Sequence, residues 1–223
     1  MLDFIESTLL SVPAVLIAFI VQGYGKALVA DRLGDKTPRF QGRLSLNPTA
    51  HIDPIGFLLI LICGFGWTKP VETNPSAYKR GYKDSIKVAL AGPIANLITA
   101  FVFAFVSVIW VNTAYIIFPS VIVRLFIKIF YLVCAININL FIFNLIPIPG
   151  LAGFEIFKAV SPKNFYKYAG KLYEYQMIIL LGVVLLAQYI LSIPSGLIYK
   201  LFINIAYLVV GIFFNWLKYR LAL

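Results

Sequence analysis

The chain has 223 residues, of which 61% are hydrophobic and only 13% charged, and its mean hydropathy is +0.90. Soluble domains average nearer ~45–50% apolar and ~25% charged, so the composition excludes an ordinary soluble fold and points to a polytopic helical membrane protein. Two cysteines, Cys63 and Cys134, lie in apolar runs; they exclude a disulfide framework and a cysteine metal site.

The opening MLDFIEST carries Asp3 and Glu6 and no Lys or Arg. It lacks the cationic start of a signal peptide, so the first helix is expected to stay in the mature protein. Apolar segments near 8–30, 86–111, 121–146, 176–193 and 197–217 are each close to the ~20 residues that a bilayer requires. A shorter run, Pro54 to Trp67, reads as a re-entrant piece. The expected fold is therefore all-α and membrane-embedded. It has about five to six transmembrane helices in one domain, residues 1–223, with a core over about 8–160 and a C-terminal helical pair over about 176–217.

Between the first two spans, RFQGRLSLNP (Arg39–Pro48) alternates Phe40, Gly42, Leu44 and Leu46 with Arg39, Gln41, Arg43 and Ser45. Period-two alternation predicts a short strand or hairpin arm after the first helix. NPTAHIDPIG (Asn47–Gly56) is turn chemistry. Its His51 and Asp53 are expected to satisfy each other or the loop backbone. KPVETNP (Lys69–Pro75) is another proline-punctuated loop. The third long segment ends in FNLIPIPG (Phe143–Gly150), where alternate prolines stop the helix. Tyr166 to Tyr175 is Tyr- and Lys-rich and suits the lipid headgroup layer.

The net charge of +10 follows from orientation. With the N-terminus outside, fifteen Lys and Arg fall on the cytoplasmic side, in the 31–87 and 147–175 connections and the tail, against three outside. That satisfies the positive-inside rule and places the main loops and the C-terminus in the cytoplasm of a cell membrane. Attraction to anionic membrane lipid follows from it, and no nucleic-acid partner is expected.

Five stretches carry a family resemblance: ALVADRLGD (Ala27–Asp35), QGRLSLNPTAHIDPIG (Gln41–Gly56), FGWTKPV (Phe65–Val71), ALAGPIANL (Ala89–Leu97) and FNLIPIPGLAG (Phe143–Gly153). In these the chain resembles the site-2 protease family, the intramembrane zinc metalloproteases (peptidase M50-like), in its small bacterial branch. The resemblance implies a first helix with a His-Glu-x-x-His motif, in which two histidines hold zinc and the glutamate activates water. It also implies a third ligand, an aspartate, in the exit motif. Here those positions are Gln22, Gly23, Lys26 and Ala152. Zinc takes deprotonated nitrogen, sulfur or carboxylate donors, which this set does not supply, so no metal or other cofactor is expected. Four altered positions fit repurposing better than a single inactivating substitution.

Gln22 and Lys26 keep the i, i+4 relation and share a helix face. An ammonium in hydrocarbon is costly, about 2.5–3.5 kcal/mol on insertion scales. Lys26 therefore either snorkels to the interface or finds an internal partner, for which Asn96, Asn144 and Glu155 are the candidates. The resemblance also implies that the segment after the first helix holds substrate in extended form. Arg39, Phe40, Gln41, Gly42, Arg43 and Leu44 are thus the candidate partner-binding strand, acting by edge pairing. The resulting functional reading is a non-catalytic membrane protein, a pseudoprotease that binds or scaffolds a membrane-protein partner or its transmembrane segment. The alternatives are a zinc metalloprotease in inactivated form and a transport or channel subunit using the polar cavity.

Overall fold

The computed structural model describes residues 2–63 and 66–221. It is built of helices: α1 (Leu2–Arg32), α2 (Thr37–Phe40), α3 (Pro48–His51), α4 (Pro54–Cys63), α5 (Tyr82–Thr113), α6 (Ser120–Asn144), α7 (Ala152–Val160), α8 (Pro162–Glu174) and α9 (Gln176–Leu221). Four are long and apolar enough to cross a membrane: Thr8–Arg32, Tyr82–Ile116, Ser120–Asn144 and Gln176–Trp216.

The core forms where small residues let the long helices approach. A side chain at Gly25 of α1 would stand 2.7 Å from the Ala95 Cβ and 3.1 Å from the Ala91 oxygen of α5, so only glycine permits this crossing. α5 and α6 form a hairpin. The Cys134 thiol donates to the Ala100 oxygen at 3.3 Å and the Trp110 indole to the Val123 oxygen at 3.2 Å. Ala206 and Val210 of α9 complete a buried cluster with Ala104, Val108 and Cys134.

The C-terminal pair is one continuous helix. α9 runs 46 residues through Pro194, where the composition suggested a break. A proline tolerated within a membrane helix loses a single backbone bond, which local adjustment can make good, so it need not end the element. Leu180 lines a cleft beside Ala89 and Gly92, while Phe202 stacks edge-on to Phe101 at 5.1 Å. α9 therefore runs in the same direction as α5. Four helices that each crossed once would leave both chain ends on one side, whereas the expected cytoplasmic C-terminus needs an odd number of crossings.

The strand expected after α1 does not form; among the described residues the sole bridge is an isolated one, Ile52 to Thr68. Pro38 lies in the first turn of α2, whose Thr37 amide donates to the Asp35 carboxylate at 2.9 Å. The chain then turns at Gly42, with φ +70°. The alternation of Arg39–Leu44 does not separate two faces: Arg39, Phe40 and Gln41 are all exposed, Phe40 to 86%, and Arg43 alone is buried. The Arg43 guanidinium donates to the carbonyls of Ala50 and Pro70. Arg39 pairs with Asp31 through bonds of 2.9 and 2.8 Å, and Gln41 donates to Glu72 at 2.6 Å. Side-chain bonds to α1 and to neighbouring segments, not ladder bonds to a strand, organise this segment.

The Pro54–Trp67 run contains α4, only ten residues long, about 15 Å at the helical rise and half of the ~30 Å core. Asp53 caps it, accepting from the amides of Ile55 and Gly56 at 3.0 and 2.8 Å. The Lys69 amide donates to the His51 oxygen at 3.0 Å, so the chain leaves and returns at nearly the same place.

Candidate functional site: a cleft between α1, α5 and α7

Gln22, Gly23, Lys26 and Ala152 converge on one cleft of about 450 Å³. α1 brings the first three along one face. The proline-stopped exit from α6 brings Ala152 at the start of α7, one helical turn ahead of Glu155.

Lys26 is the charged residue that α1 presents to the cleft. Its ammonium donates to both oxygens of Glu155, at 2.9 and 3.1 Å. The lysine side chain is 22% exposed and the glutamate 48%. Gln22 turns away toward α5, where its oxygen accepts from the Asn96 amide at 3.1 Å. Asn96 is fully buried behind it, does not line the cleft, and leaves its own oxygen without a hydrogen-bond partner among the described residues. Asn144 lines the cleft, but its amide donates at 2.8 Å to the Leu140 oxygen of its own helix. Of the three candidate partners for Lys26, then, Glu155 is the one the fold delivers.

Gly23 exposes α1 to His51. A Cβ at this position would lie 2.3 Å from His51 Nδ1. The other ring nitrogen, Nε2, is 2.6 Å from the Ser45 carbonyl and so carries the proton. Nδ1 is buried without a hydrogen-bond partner among the described residues. Burial pushes the His51 pKa below its ordinary value of 6.5, against the Ser45 carbonyl and with nearby Arg43 lowering it further. His51 and Asp53 form no hydrogen bond with each other: Nε2 of His51 is held by the Ser45 carbonyl, and Asp53 by the first amides of α4.

One wall was not foreseen from the residues. Gly66, Trp67, Thr68, Pro70 and Val71 line the cleft as irregular chain, with one isolated bridge from Thr68 to Ile52. The signal was present in the prolines of Lys69–Pro75, which bar a helix there. The candidate strand Arg39–Leu44 contributes nothing to the lining.

The donor set does not fit a zinc ion. Lysine offers donors and no lone pair while charged, glycine and alanine offer none, and the one carboxylate is already held by an ammonium that would repel a divalent cation. Among the described residues no three His, Cys, Asp or Glu side chains converge.

The fold and cleft define a polytopic helical membrane protein with a polar site enclosed between its spans. Two bacterial relatives narrow the class. The chain is 36% identical over 147 residues to "Putative zinc metalloprotease YwhC" of Bacillus subtilis (strain 168), covering 66% of this chain and 67% of that one. It is 27% identical over 158 residues to "Putative zinc metalloprotease Rip2" of Mycolicibacterium smegmatis, covering 69% and 58%. The chain belongs to the family of these zinc metalloproteases. No family model and no solved structure matches it.

Proposed function

We propose that this chain is a non-catalytic member of the site-2 protease fold, a pseudoprotease that holds a membrane partner's transmembrane segment in its cleft. The observation that carries this reading is the Lys26–Glu155 pair. At the place where the resemblance puts two histidines and an aspartate around a metal, a cation and a carboxylate of the protein neutralise one another. Without a Lewis acid, and with glycine where the general base belongs, nothing activates water for peptide hydrolysis. The apolar walls and the irregular Gly66–Val71 segment beside them suit a surface that receives a polypeptide.

The test uses purified full-length protein in detergent. Metal analysis is expected to give no stoichiometric zinc. A model transmembrane peptide is expected to bind without being cut, with or without a chelator. Tight 1:1 zinc together with chelator-sensitive cleavage would overturn the reading.

A further inference from the structure

We infer that the cleft selects an apolar transmembrane segment bearing a carboxylate, which takes the place of Glu155 on Lys26. This deepens the proposed function and rests on it.

The argument is the asymmetry of the pair. Lys26 sits on a membrane-spanning helix among Phe19, Ala89 and Leu140 and is 22% exposed. Leaving its ammonium unpaired there is costly. Glu155 is 48% exposed on a short helix at the cleft's edge, where water can solvate it. An incoming anion can therefore displace Glu155 at little cost, whereas an incoming cation that captured Glu155 would strip Lys26 of its counter-ion. The sign of the ligand charge follows.

Glu155 also has somewhere to go. It lines a second cavity, of about 550 Å³, together with Lys158, Ser76 and Tyr166. Lys158 lies one turn further along α7 and offers the released carboxylate a new partner. The exchange trades one ion pair for two and needs no movement of the spanning helices.

The test compares three synthetic transmembrane peptides of one Leu/Ala host sequence with Asp, Asn or Lys at the same position in the cytoplasmic third. Binding to the full-length protein is read by fluorescence anisotropy in detergent. The Asp peptide is expected to bind about tenfold tighter than the Asn peptide, the difference between a charged and a neutral hydrogen bond. That preference should vanish in Lys26→Gln, persist in Lys26→Arg and grow in Glu155→Gln, where the internal competitor is gone. Equal binding of all three peptides, preference for the Lys peptide, or weaker Asp-peptide binding in Glu155→Gln would each overturn the inference while leaving a docking cleft. Failure of every peptide to bind would overturn both the inference and the proposed function.

Discussion

The loop region between α1 and α5 and the cleft beside it both hold charges close to the membrane, in opposite ways. In the loop region the buried charges Asp35 and Arg43 are tied into the backbone. Asp35 accepts from the amides of Thr37 and Asn74 at 2.9 and 2.7 Å. Burial would raise its pKa, but these bonds outweigh it and hold the carboxyl below its ordinary 3.8. Arg43 is buried and spans two loops. In the cleft the charged pair is side chain to side chain, half open to solvent and joined across 129 residues of sequence. The first arrangement cannot exchange partners without unfolding the loops; the second can. A buried charge bonded to backbone fixes a structure, whereas a partly exposed charge bonded to another side chain leaves a site.

The sharpest test of this contrast is Arg43→Ala. It removes a buried side chain together with its charged hydrogen bonds to the carbonyls of Ala50 and Pro70, a loss of about 1.5–3 kcal/mol for such a bond, and should lower the thermal unfolding midpoint in detergent more than any cleft substitution. A midpoint close to wild type would break the comparison. Next comes Gly25→Leu, which must push apart α1 and α5 at Ala91 and Ala95. Overpacking of this kind costs about 1–3 kcal/mol and should appear as a lowered midpoint and faster hydrogen exchange along both helices.

Lys26→Gln should cost far less, about 1 kcal/mol or below, because the pair is partly solvated. A loss comparable to that of Arg43→Ala would show that the pair is structural and would remove its capacity for exchange. The smallest effect concerns pH. His51 has a folded pKa below 6.5, so the unfolded chain takes up its proton first as pH falls. Its stabilising contribution is complete above pH 6.5 and declines as acidification proceeds toward the lowered folded value. The unfolding midpoint should therefore drop below pH 6.5 in wild type, and that part of the drop should be absent from His51→Gln.

Much of the site was legible in advance because its signals are local in sequence. The i, i+4 spacing places Gln22 and Lys26 on one helix whatever the tertiary fold, and the FNLIPIPG prolines end α6 wherever it packs. Asn96, Asn144 and Glu155 could be named as candidate partners for Lys26, with Glu155, one turn beyond Ala152, singled out among them, but the pairing itself depends on where α6 releases the chain. The hairpin arm misled for a related reason. Alternation has meaning only if the chain is extended, and here α2 and the turn at Gly42 leave Arg39, Phe40 and Gln41 all exposed and Arg43 alone buried.

Composition and residue chemistry by themselves determined that the chain is a membrane protein and that Gln22, Gly23, Lys26 and Ala152 make a poor ligand set for zinc. These are properties of the side chains and hold in any conformation. Tertiary structure alone decided that Glu155 meets Lys26, that Arg43 locks the loops, and that the apolar stretch after residue 176 is one helix rather than two. The first two depend on contacts between segments distant in sequence, and no local pattern encodes the energy of such contacts; the third turns on whether the helix absorbs Pro194 where it stands.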